Sequence, residues 1–307
     1  MKKRLLTALA ALALTLAGCA PAAPAQSAVQ ASSGGDALHV LATTYPVYLF
    51  TTAVTEGVDG VEVSLLVNAQ TSCLHDYTLT TTDMKAVEQA DLIVMNGVGL
   101  EAFMDDALAQ SGAPVIDCSQ GIELLPYPAW DGHGHAEEGG EYDPHIWMSP
   151  DNAVQMMQNI RDGLSQRLPG AEARMSDNVT RADTRLAQEL PALSNAAARY
   201  GLITFHDGFQ YFARDFGLNL LKSIEEEEGS EASAADIKEI VSLIGANGLP
   251  TIFTEKNGSS ATADAIARET GVQVRQLDMI MSGDGSGLQP YLDAMNANLS
   301  TLAEAFQ

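Results

Sequence analysis

The sequence predicts an α/β protein of two lobes, each a parallel four-stranded sheet flanked by helices, with a long connecting helix between them. Three observations lead there. Residues 38–117 alternate short aliphatic runs with helical patterns, in the series β, α, β, α, β, α, β. Residues 201–277 repeat the alternation. Between them, from Pro150 to about Asn195, the pattern is helical throughout. Strands separated by helices need crossover connections, and these produce parallel sheets.

In chain order, Leu38–Thr43 reads as a buried strand, and Tyr45-Pro46 opens a helix to about Val54. Val61–Val67 is the second strand, followed by a polar loop from Asn68 to Tyr77. Thr80 and Asp83 have the spacing of a capping box, which starts a helix. Asp91–Met95 is the third strand, Leu100–Ala109 a helix and Pro114–Asp117 the fourth strand. Ser149 and Pro150 read as N-cap and first residue of the next helix. Pro169-Gly170 breaks it, Ala171–Glu189 reads as the connecting helix, and Pro191 ends that. In the second half the strands are Gly201–Thr204, Leu218–Leu221, Thr251–Thr254 and Val272–Leu277. The helices are Gly208–Phe216, a run capped by Ser233 and Asp236 to Asn247, Ala261–Thr270, and Leu288 to about Ala305. The expected division is 37–168 for the N-terminal lobe, 169–199 for the connecting helix and 200–307 for the C-terminal lobe.

Residues 1–18 read as a signal peptide. Lys2-Lys3-Arg4 precedes an apolar run from Leu5 to Leu16 that is too short for a comfortable membrane span. Leu16-Ala17-Gly18-Cys19 resembles the bacterial lipobox, so Cys19 is the expected lipidated residue. Residues 19–36, rich in Ala, Pro, Ser and Gln, read as a flexible tether. The expected location is extracytoplasmic, anchored to the membrane by lipid. The net charge of -24 excludes nucleic acid as a partner, since phosphate binding needs clustered Lys and Arg, and suits attraction of cations. Cys73 and Cys118 remain in the mature chain; the reading favours two free thiols, because the second and fourth strands need not be neighbours.

The carboxyl ends of the strands carry the chemistry. In open parallel sheets ligands gather there. His75 lies in the loop after the second strand, and His145 in the loop closing the first half. His206 directly follows Leu202–Phe205, and Asp278 follows Val274–Leu277. Three imidazoles and one carboxylate, two from each lobe, suit a first-row divalent ion in the interlobe cleft. Asp76, Asp207 and Glu255 stand beside them as residues to orient the imidazoles, with Glu255 ranked below Asp278 as a ligand. His133 and His135, in a short acidic run, form a candidate metal-collecting loop, while His39 at a strand start reads as structural.

The segments Cys73-Leu-His75-Asp-Tyr77, Asp143-Pro-His145-Ile-Trp147 and Phe205-His206-Asp-Gly-Phe-Gln-Tyr-Phe-Ala-Arg214 resemble the metal-receptor lipoproteins of bacterial ABC importers for zinc and manganese, solute-binding protein family 9. Ser233–Ile240 adds to the likeness, which spans the chain from Leu38. The resemblance implies one bound ion on His75, His145, His206 and Asp278, lobes whose relative motion a long helix limits, and delivery to a permease driven by an ATPase. Leu74 and Thr80–Asp83 depart from the prolines that the family usually has around the first histidine.

Three nitrogens and one carboxylate tilt the cargo to Zn2+, with Mn2+ the alternative, since manganese prefers oxygen-rich sites. Two rival readings are a metal-dependent hydrolase and an adhesion lipoprotein. Against the first, the chain has no His-Glu-x-x-His helix, nucleophile elbow or phosphate-cradling glycine loop. For the second, nothing in the sequence identifies a surface partner. The expectation is therefore a receptor, not an enzyme.

Overall fold

The computed structural model describes residues 37–67, 77–127, 141–193, 200–223 and 233–307. It contains two four-stranded sheets, and every strand pairing within them is parallel. The first is built from β1 (Leu38–Ala42), β2 (Val61–Leu65), β3 (Leu92–Met95) and β4 (Val115–Asp117), in the order β2-β1-β3-β4. The second is built from β5 (Gly201–Thr204), β6 (Asn219–Ser223), β7 (Thr251–Glu255) and β8 (Gln273–Leu277), in the order β6-β5-β7-β8. The two orders are the same. In each sheet the chain leaves the first strand toward one edge and then returns to build on its other side. The switch points therefore fall between β1 and β3 and between β5 and β7, where the strand ends open a crevice.

Local chemistry marks several of the helix starts. Helix α1 (Tyr45–Val54) has Pro46 in its first turn, and α2 (Thr81–Gln89) opens with the complete Thr80–Asp83 capping box. Helix α3 (Asp105–Ser111) begins later than the sequence suggests, after a 3-10 turn at Ala102–Met104. The cause is Glu101, whose carboxylate turns back to accept from Asn96 N and Gly97 N instead of entering a helix. Helix α4 (Pro150–Ser165) is capped by Ser149, whose hydroxyl accepts from Asn152 N at 3.0 Å. Helix α5 (Glu172–Glu189) follows the Pro169-Gly170 break and stops one residue short of Leu190, which precedes Pro191. Helices α6 (Gln210–Asp215), α7 (Ala234–Asn247), α8 (Ala261–Thr270) and α9 (Gln289–Ala305) complete the second half.

Packing joins the halves. The larger core runs without interruption from Val40, Leu41 and Ile93 of the first sheet, through Phe50 of α1, Ile160 of α4 and Leu186 of α5, to Met295 and Leu299 of α9. It continues to Leu202, Phe253 and Leu277 of the second sheet. A smaller core, with Ile203, Ile240, Ile252 and Ile266, packs β5 and β7 against α7 and α8. Polar bonds cross between the halves as well. Trp147 Nε1 donates to Met279 O at 2.9 Å, and Tyr291 Oη to Trp147 O at 2.7 Å. Gly285 N donates to Tyr45 Oη at 3.2 Å, and Gly287 N to Thr52 Oγ1 at 2.8 Å. None of the helices among the described residues is long and apolar enough to cross a membrane.

Candidate metal centre

His206 stands two residues past the end of β5, at the switch point of the second sheet. Its place is fixed by the backbone around it. Phe205 N donates to Phe253 O of β7 at 2.9 Å, and Thr204 Oγ1 donates to His206 O at 2.8 Å. Glu255, the last residue of β7, lies across the same switch point, with Oε2 3.5 Å from His206 Nδ1.

His145 arrives from the other half on a stiff loop. Pro144 precedes it, a 3-10 turn at Ile146–Met148 follows, and the α4 cap closes the segment. Asn96, at the switch point of the first sheet, donates from Nδ2 to Pro144 O at 2.9 Å. Tyr211 of α6 donates to Asp143 O at 3.0 Å, so both halves hold the loop. Asp143 is fully buried. Its Oδ1 accepts from His145 N at 2.9 Å and faces His145 Nδ1 at 2.7 Å. A carboxylate at Nδ1 keeps the proton there and leaves the Nε2 lone pair for a ligand.

The result is two buried imidazoles meeting edge to face, with His145 Nε2 and His206 Nε2 3.1 Å apart and the rings at 87°. Asp207 joins them: one ligand atom from each of His145, His206 and Asp207 lies within 4.8 Å of the others, the group of this kind found among the described residues. Gly208 makes the meeting possible. A Cβ there would run into Met279 Cε and stand 2.8 Å from His145 Cδ2 and 2.9 Å from Cγ; the methionine end can move, but the held ring cannot, so this position must remain bare. Helix α6 starts at Gln210, two residues later than the sequence suggests.

The electrostatics favour a cation. Burial pulls the His145 pKa down, but the charge and hydrogen bond of Asp143, with Asp207 and Glu255 behind, outweigh it and leave the value raised. Burial pushes Glu255 up to about 8; the His145 charge opposes this and Asp278 adds to it. Among the described residues Glu255 Oε2 is buried without a hydrogen-bond partner, a cost that a positive centre nearby removes.

Of the residues singled out from sequence, His145, His206, Asp207 and Glu255 come together. Asp278 follows β8 and is outside the His145–His206–Asp207 group, with its carboxylate engaged by Lys256 Nζ at 3.0 Å and Ile280 N at 2.7 Å. His75, Asp76, His133, His135, Cys19 and Cys73 lie outside the described residues. Cys118 is a buried free thiol, its pKa raised by burial. His39 is half exposed beside Glu62 and apart from the pair. Sequence reasoning missed Asp143 as the partner of His145; the signal was its position two residues ahead, across a proline.

Two lobes of like sheet topology, each bringing one imidazole to a shared buried point beside carboxylates, define a two-lobed α/β fold with a candidate cation site. The chain belongs to the ZnuA family, described as zinc-uptake complex component A, periplasmic, whose pattern matches residues 40–305. It is similar to the zinc-binding lipoprotein AdcA of Streptococcus pneumoniae serotype 4, 29% identical over 284 residues, which cover 87% of this chain and 55% of that protein. This chain thus spans about half the length of the first curated relatives it matches. It is also 29% identical over 319 residues to the high-affinity zinc uptake system protein ZnuA of Bacillus subtilis, covering 97% of this chain and 95% of that one. Among solved structures, the binding protein FpvC of Pseudomonas aeruginosa in complex with Mn2+ superposes with a TM-score of 0.74 at 27% identity, covering 89% of this chain and 99% of that chain.

Proposed function

We propose that this protein is an extracytoplasmic receptor of an ABC importer that captures one divalent metal ion, foremost zinc, and hands it to a membrane permease. The observation that carries the reading is the pair of facing Nε2 atoms, 3.1 Å apart, with Asp143 behind one ring and Glu255 behind the other. Such a pair, supplied by two halves of the molecule, binds a cation by closing on it. His145 and His206 give two nitrogens, and Asp278 and His75 are the further donors. Imidazole suits zinc, which accepts four ligands at tetrahedral angles. The zinc-binding names of the AdcA and ZnuA relatives support that choice. The Mn2+ complex of FpvC supports manganese as the second cargo. Asp207 and Glu255 serve charge balance and ring orientation, and the cargo ion leaves no open position for a substrate, so the protein acts as a carrier and not as an enzyme. Cys19 is the lipid anchor, and the first 18 residues are removed on export.

Metal analysis of the purified, unsupplemented protein tests the reading, with one zinc per chain expected. His145→Ala and His206→Ala should each weaken zinc binding strongly, and His133→Ala with His135→Ala should leave it intact. Tight binding that survives loss of both His145 and His206 would overturn the site. Cys19→Ala should release the chain from the membrane fraction or leave an unprocessed precursor.

A further inference from the structure

Both oxygens of the Asp278 carboxylate already have partners, and the two partners differ in kind. Oδ1 accepts from the backbone N–H of Ile280 at 2.7 Å. That residue has φ +62°, a left-handed conformation that a β-branched side chain adopts at a cost, so the turn is held in place by its surroundings. Oδ2 accepts from the side chain of Lys256 at 3.0 Å. The backbone on each side is pinned. Asn298 exchanges hydrogen bonds with Asp278 N at 2.7 Å and Asp278 O at 2.8 Å. Lys256 N donates to Leu277 O at 2.9 Å.

The register explains why these two residues meet. Glu255 of β7 pairs with Leu277 of β8. Lys256 and Asp278 are the next residues on neighbouring parallel strands, one step beyond the last pair. The lysine follows directly on Glu255, which flanks His206, so a cation is built in beside an otherwise acidic centre. The Lys256 side chain is 63% exposed and that of Asp278 22%. An ammonium so exposed exchanges its carboxylate for water at little desolvation cost. Oδ1 is thus committed to the backbone, and Oδ2 is the oxygen whose partner can leave.

We propose that Lys256 is an internal competitor for the cargo ion. Its ammonium holds the Asp278 oxygen that the metal takes as a donor, so capture requires Lys256 to swing into water, and its return assists release. This rests on the reading of Asp278 as a donor to the metal. The residue tunes affinity and does not touch the ion.

The test is a double-mutant cycle on the full chain, stripped of metal, with zinc affinity measured by competition against a chromogenic chelator. Lys256→Met should bind zinc about two- to fivefold tighter, the range an exposed ion pair commands. Lys256→Arg should return the affinity to that of the parent. In an Asp278→Asn background, Lys256→Met should change nothing. An equal gain in both backgrounds would mean that the lysine acts through its charge alone and would overturn the proposal. Unchanged or weaker binding by Lys256→Met, with Asp278→Asn clearly impaired, would overturn the competitor role and leave Asp278 a donor. Full affinity in Asp278→Asn, with His145→Ala impaired, would remove Asp278 from the donor set and the proposal with it, leaving the histidine site standing. Thermal melts of each variant establish that it is folded.

Discussion

The Nε2 atoms of His145 and His206 face each other at 3.1 Å although 61 residues separate them in the chain. With a carboxylate at Nδ1 of His145, its Nε2 presents a lone pair toward His206 Nε2. A proton on the other Nε2 bridges the pair as a hydrogen bond, and a metal ion can take that proton's place. Asp143→Asn and Glu255→Gln should therefore each weaken zinc binding about 10- to 100-fold while leaving the donors in place. Calorimetric titration checks this, and the loss at Asp143 should be the larger, because its contact is 2.7 Å against 3.5 Å.

Gly208 carries a second expectation. The His145 ring lies against its backbone, and the ring cannot retreat because Asp143 and Trp147 hold it. Gly208→Ala should cost about 1–3 kcal/mol of stability by overpacking. It should also lower zinc affinity by displacing the imidazole. Thermal melts with and without zinc separate the two effects: the zinc-induced gain in Tm should shrink in the variant.

Metal choice follows from donor type. Zinc should outcompete manganese at equal concentrations in the parent protein, as the affinity order of divalent ions and the nitrogen donors both dictate. His206→Glu replaces a nitrogen by oxygen at the same strand end and should narrow the gap. Metal content after dialysis against both ions reads the ratio directly. Preferential retention of manganese by the parent would reassign the cargo.

Glu101 supplies a pH dependence away from the metal donors. It is fully buried, and burial pushes its pKa from 4.5 up to about 7 against the hydrogen bonds of Thr43, Asn96 N and Gly97 N. Between those values the folded state holds a proton that the unfolded chain has lost. The stability this group contributes is thus full below about 4.5 and is lost as pH rises through about 7. Glu101→Gln is neutral at every pH and should lack that slope. Its stability relative to the parent should rise by on the order of 3 kcal/mol between about pH 5 and pH 8, as read by urea unfolding.

Much of the fold was legible because its signals are local. The Thr80–Asp83 and Ser149-Pro150 caps, the Pro169-Gly170 break and the aliphatic strands all act within a few residues. His145 and His206 were legible for the same reason, since each sits at a stiff, recognisable place beside its own strand or helix. The rest depends on register and on side-chain direction. The Lys256–Asp278 pair exists because β7 and β8 align Glu255 with Leu277, which no run of either strand announces. Glu101 looked like the start of a helix because nothing in its neighbourhood reveals that Thr43, 58 residues earlier, donates to it. The contact of Glu255 with His206 likewise depends on the switch point, which sets the end of β7 beside the end of β5.

The larger core described above has no seam. Leu41 of β1 and Leu299 of α9 belong to one continuous apolar interior, with α1, α4 and α5 packed through it. The halves are separate in topology but share one apolar interior, so cutting the chain between them would expose the packed faces of α1 and α9 to water. A single unfolding transition is the expected outcome, read by calorimetry. Any opening at the histidine pair must then come from small slides of packed helices, because a free hinge would tear the interior that makes each half stable.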